Sequence, residues 1–89
     1  MDVGYVLINT LPEKEKQTYK EVLNLSEVEY IEPIFGEYDF IAKINTSHFE
    51  NIGKIVTNNI RTIDSVIKTK TLTIDNSLLE KTLKEETIG

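Results

Sequence analysis

The sequence contains no cysteine and a single histidine, His48, among its 89 residues. Without cysteine there is no disulfide framework and no thiolate chemistry, and one histidine cannot build a histidine-rich metal site within one chain. No metal or other cofactor is expected. Basic charge is also scarce: 10 Lys and Arg stand against 15 Asp and Glu, a net charge of −5. That balance opposes the phosphate contacts that supply most nucleic-acid affinity, so no direct nucleic-acid binding is expected. Long apolar runs are missing as well, both as a membrane span and as the core of a leader behind a basic flank. A cytoplasmic chain with no membrane contact is the expectation. At this length one core is all the chain can form, and folding gains much from an oligomeric interface.

What is present is a sequence of strand and helix signals around one turn, Phe35-Gly36-Glu37-Tyr38-Asp39. Val3 to Ile8 is apolar on both alternating faces, as in a central strand covered on both sides. Pro12 suits the first turn of a helix, and Glu13 to Leu23 carries apolar groups at Tyr19, Val22 and Leu23, a narrow buried stripe under a charged, solvated face. Val28 to Phe35 is a strand whose Pro33 places it at a sheet edge or on a bulge. Tyr38 to Asn45 is the next strand, with Tyr38, Phe40, Ala42 and Ile44 on one face. Between these two, Gly36-Glu37 reads as a glycine-first, two-residue type II′ hairpin loop.

Ser47-His48-Phe49-Glu50 has the form of a capping box, which puts His48 at the first helical position, exposed. Phe49, Ile52, Ile55, Val56 and Ile60 then define a broad core stripe, and Gly53 within it costs about 1 kcal/mol of helix propensity, pointing to a close approach by a neighbouring backbone. Val66 to Ile74 alternates as a last strand, with Thr69 and Thr71 among its regularly spaced hydroxyls. Asn76 to Glu86 carries a second cap and two leucines, a short helical tail that must dock on something or fray. The domain is thus expected over residues 1–75 and the tail over 76–89.

Strand, helix, strand, strand, helix, strand is the order of an α+β, ferredoxin-like βαββαβ fold, a four-stranded antiparallel sheet with both helices on one face. Its first and third strands are central. Both carry hydrocarbon on the uncovered side, so a second subunit is expected there, giving a dimeric α/β sandwich.

The opening Val3-Gly4-Tyr5-Val6-Leu7-Ile8-Asn9-Thr10, the proline-led acidic helix, Gly36-Glu37-Tyr38-Asp39 and the run from Ile60-Arg61-Thr62-Ile63 to Thr69-Lys70-Thr71 together resemble the effector-binding half of the Lrp/AsnC transcriptional regulators, the RAM domain. The similarity covers residues 3 to about 75. Family regulators place a helix-turn-helix before this domain; here the first strand signal starts at residue 3, as in stand-alone RAM proteins. The resemblance implies sheet-paired homodimers, an octameric ring of four dimers, and an amino acid or related small metabolite held between dimers. It places Gly36, Glu37, Tyr38 and Asp39 at the ligand, with Thr69 and Thr71 offering hydroxyls, and with Asp64 and Ser65 at a turn where the family commonly has glycine before the valine. Asp39 is suited to pair with an α-ammonium group. A non-catalytic amino-acid-binding and oligomerisation module is therefore expected. A different class is an assembly subunit that modulates full-length Lrp/AsnC regulators without its own ligand. A small dimeric α+β barrel enzyme is a third, and it requires His48 or a buried carboxylate in an enclosed cavity.

Overall fold

The computed structural model describes residues 2–73; the expected tail at 76–89, and Ile74 at the end of the last expected strand, lie outside them. Strand β1 (Asp2–Thr10) leads to helix α1 (Glu15–Leu23), then β2 (Val28–Pro33), β3 (Phe40–Thr46), helix α2 (Phe49–Ile55) running on into a π-helical turn at Val56–Ile60, and β4 (Val66–Thr73). The strands form one antiparallel sheet in the order β2-β3-β1-β4. The expected fold is present, with the first and third strands central. Pro33 lies on an edge strand, and β2 also carries a register slip between Val28 and Tyr30. That slip lets Val28 and Ile31, three apart, both face the core.

Gly4, Val6, Ile8 and Thr10 of β1, with Phe40, Ala42 and Ile44 of β3, form the buried floor under the helices. Val22, Ile52, Ile55, Val56 and Ile60 close the core from above. In the π turn the Arg61 N–H reaches back five residues to the Val56 carbonyl (2.8 Å), and the wider turn keeps both Val56 and Ile60 inward. On α1 the covered residues are Thr18 and Val22, whereas Tyr19 and Leu23, both expected in the stripe, are exposed. A polar contact explains the choice of face. Thr18 Oγ1 lies 3.0 Å from the Lys14 carbonyl and 2.6 Å from Ser65 Oγ. With its one proton given to that carbonyl, Ser65 must donate to Thr18, and both buried hydroxyls are satisfied.

Several local expectations are corrected. Pro12 does not begin the helix: the Lys14 N–H bonds the Leu11 carbonyl (3.1 Å), and Glu13 has φ 68°, so Pro12-Glu13 is the centre of a type II turn. The second helix starts one residue later than a Ser47 cap would set it; His48, in extended conformation, is its N-cap, and among the described side chains none makes a capping hydrogen bond. Among the described residues, a Cβ added at Gly53 would meet no atom within 4 Å beyond the backbone of its own helix and its chain neighbours. The close approach is at Gly4 instead, where a Cβ would lie 2.7 Å from Ile52 Cδ1. Here the missing side chain of a strand glycine admits a helix side chain onto the sheet.

Candidate functional site

The β2–β3 connection is not a two-residue hairpin loop. The ladder ends at Pro33↔Phe40, and Ile34 to Asp39 form a six-residue loop held at its base by the Ile34 N–H bonding the Asp39 carbonyl (3.0 Å). Gly36 has φ 121°, a conformation open to glycine, so a glycine is required here for a different turn from the one expected. Tyr38 and Asp39 are part of the loop rather than the start of β3.

Asp39 ties this loop to the end of β1. Its N–H donates to the Ile8 carbonyl (2.9 Å), and its carboxylate Oδ2 accepts the Thr10 N–H (2.8 Å). Thr10 needs such a partner because its N–H faces β3, whose pairing with β1 ends at Ile8↔Phe40, so no β3 carbonyl stands opposite it. A half-buried carboxylate thus substitutes for a ladder carbonyl, which fixes its position. Next to it, Tyr38 is half-buried and Lys68 Nζ stands 5.5 Å from the centre of its ring, a cation–π contact. Lys68 pairs with Asn9 across the ladder, so the corner is assembled from the loop, the end of β1 and the beginning of β4.

The expected site residues divide accordingly. Tyr38 and Asp39 meet at this corner. Thr69, half-buried, pairs with Ile8, the residue whose carbonyl receives the Asp39 N–H, so one strand separates it from Asp39. Thr71 pairs with Val6, one repeat further along, and is exposed. Gly36 and Glu37 are exposed at the loop tip, and Asp64 is exposed in the turn before β4. Ser65 accepts the Leu11 N–H on its carbonyl (2.8 Å), which places its backbone beside the exit of β1, while its hydroxyl is buried against Thr18. Lys68 and Thr10 were not singled out from sequence. Only the β1–β4 register brings them to Tyr38 and Asp39, and no local pattern marks them.

The open face of the sheet adjoins the corner. Alternation puts Val3, Tyr5, Leu7 and Ile41 there, half-buried only by their neighbours, together with Leu72 at 41% exposure. A polar cluster borders it. Glu29 accepts from Lys43 Nζ and from Asn45 Nδ2, each at 2.9 Å, and Lys43 stands 6.0 Å from the Tyr30 ring centre. The hydrogen bonds from Lys43 and Asn45 hold the Glu29 carboxyl below its ordinary pKa, and the Glu29 bond raises that of Lys43. Among the described residues no group of three or more His, Asp or Glu is placed to hold a metal, the buried polar side chains are Thr10, Thr18 and Ser65, and His48 is exposed. No described helix is long and apolar enough to cross a membrane.

A family model described as the Lrp/AsnC ligand binding domain matches residues 4–84. Among solved structures, FFRP-DM1 is similar at a TM-score of 0.79 and 27% identity, covering 84% of this chain and 100% of that one. The hypothetical protein PHS023 from Pyrococcus horikoshii gives 0.77 at 27% identity, over 84% of this chain and 90% of that one. A transcriptional regulator from Neisseria meningitidis, in complex with L-Met, gives 0.75 over 86% of this chain and 51% of that one; at 11% identity the likeness is one of fold. No curated protein matches the chain.

Proposed function

The chain belongs to the Lrp/AsnC ligand-binding domain family, and from that premise we propose that it is a non-catalytic sensing and assembly module, which binds a free amino acid or related small metabolite between subunits and pairs through the open face of its sheet. The corner formed by Tyr38, Asp39 and Lys68 carries the proposal. There a carboxylate held by the Thr10 amide, an aromatic ring and an ammonium group lie beside an uncovered apolar face. A zwitterion suits that arrangement: its α-ammonium meets the Asp39 carboxylate, its α-carboxylate meets Lys68, and its side chain is left for whatever the neighbouring subunit supplies. Thr69 lies across β1 from Asp39, paired with Ile8 and so on the helix side of the sheet, the face opposite Lys68. The remaining candidates, Gly36, Glu37, Asp64, Ser65 and Thr71, would act from the loop tip, the turn or the far strand, and in this proposal they border the ligand less directly than Asp39. That a regulator of the same fold is found with L-Met supports an amino acid as the ligand class.

Titration calorimetry over the twenty amino acids tests this directly. At least one should bind, and Asp39→Asn, which keeps an acceptor for the Thr10 amide while removing the charge, should weaken it about tenfold or more, the scale of a charge-assisted hydrogen bond. A blank panel with correctly assembled protein would sink the proposal.

A further inference from the structure

Phe35 is the most exposed large apolar side chain among the described residues, at 105% relative exposure, and it stands on the Ile34–Asp39 loop. The base of that loop also borders a groove of about 360 Å³, walled by Tyr19 and Phe40, floored at one end by Pro33, and rimmed by Glu15, Lys16 and Lys20 of α1. The two rings are 6.2 Å apart and tilted, and Phe35 of the same chain is not among the lining residues. An open apolar groove thus lies beside an exposed ring.

We propose that this groove receives Phe35 from a second copy of the chain, in a reciprocal two-fold contact. Charge fits the pairing: Lys16 and Lys20 outweigh Glu15 on the rim, leaving it net positive toward Glu37, two residues beyond Phe35, in a chain whose net charge of −5 otherwise opposes self-association. Position fits it as well. Pro33 and Phe40, which line the groove beside α1, flank the loop that carries Phe35, so tip and groove are neighbours and one two-fold axis can serve both contacts. A phenylalanine ring gives such a contact a large buried apolar area on a side chain with few rotamers.

The groove lies on the helix side of the sheet, since Phe40 points into the core, and the open face lies on the other side. Each chain would then carry two different two-fold contacts, and sheet-paired dimers could be linked through Phe35 into larger closed assemblies. In taking the sheet-paired dimer as the unit that is linked, the inference rests on the function proposed above.

Sedimentation equilibrium of the full chain and of Phe35→Ser tests it, with far-ultraviolet circular dichroism as the folding control. The expected result is a wild-type mass larger than a dimer that falls to the dimer in Phe35→Ser. Phe35→Trp gives a chain with one tryptophan, since the natural sequence has none, and its emission should shift to the blue as protein concentration rises. Equal masses for wild type and Phe35→Ser overturn the inference, and so does a blue shift independent of concentration, which would mean insertion within one chain. If both are dimers, only the Phe35 contact fails; if both are monomers, the sheet pairing fails with it. Amino-acid calorimetry then separates the remaining fate of the proposed function.

Discussion

Replacing Gly4 by alanine probes the close approach of Ile52 to the sheet. The added Cβ would sit 2.7 Å from Ile52 Cδ1 and 3.0 Å from Ile52 Cγ2, with Ile52 itself buried. Overpacking of a well-filled core costs about 1–3 kcal/mol. The nearest atom is the end of a flexible side chain rather than backbone, which favours the lower half of that range. Alanine also recovers about 0.4–1 kcal/mol by restricting the unfolded chain. The expected net loss is therefore about 1 kcal/mol, or roughly 4–8 °C in Tm for a domain of this size. Ile52→Val removes the clashing Cδ1, and alone it should cost about 0.5–1.5 kcal/mol as a buried truncation. In the Gly4→Ala background that cost should largely vanish, a coupling of about 1 kcal/mol between the two sites. Urea unfolding of the four variants at one fixed protein concentration measures the cycle, the concentration being held because self-association adds to apparent stability. Should Gly4→Ala stabilise the protein, or should Ile52→Val cost the same in both backgrounds, the contact is not what requires glycine at this position.

Gly53→Ala should do the opposite. It lies inside α2, where an added Cβ would meet no atom of the described residues within 4 Å beyond its own helix backbone and chain neighbours, so the substitution is expected to stabilise by about 0.5–1 kcal/mol in the same unfolding assay. The Glu29 cluster predicts a pH dependence. Because Lys43 and Asn45 lower its folded-state pKa, Glu29 contributes stability above the ordinary carboxylate value, and that contribution is lost as pH falls through the lowered value. Unfolding midpoints measured down the acid range should converge for wild type and Glu29→Gln, having differed near neutrality; the exposure of the pair keeps the difference small.

Much of the scaffold was legible in the sequence because its signals are local. A run apolar on both faces in Val3–Ile8 and the alternation in Phe40–Ile44 marked the central strands, and Pro33 marked an edge, since a ring without an N–H cannot serve a ladder on both sides. The stripe of Ile52, Ile55, Val56 and Ile60 was equally clear. Where local signals failed, a distant partner had decided. Tyr19 and Leu23 have the right spacing for a buried face, yet Thr18 is the residue turned inward, because Ser65, 47 positions away, satisfies its hydroxyl. Gly36 was correctly seen as a turn residue, but the turn type was not: the regular β2–β3 pairs end at Pro33↔Phe40, and Asp39 bonds at once to Ile34 and to Ile8 and Thr10 of β1.

The corner at Asp39 shows the division most sharply. The sequence by itself determined that cysteine and histidine-rich chemistry were absent, that the order of elements was βαββαβ, and that Tyr38 and Asp39 stood at a glycine-containing turn between paired strands. These follow from composition and from periodicities of two and 3.6 residues, which a chain carries in any window. Only the tertiary structure decided that the Asp39 carboxylate would be held by the Thr10 amide, 29 positions away, that Lys68 would stand over Tyr38, and that Phe35 would be left exposed beside a groove. The reason is register. Where one strand slips against another sets which side chains meet, and that slip is fixed by backbone hydrogen bonds and core packing across the whole sheet, which no short stretch of sequence contains.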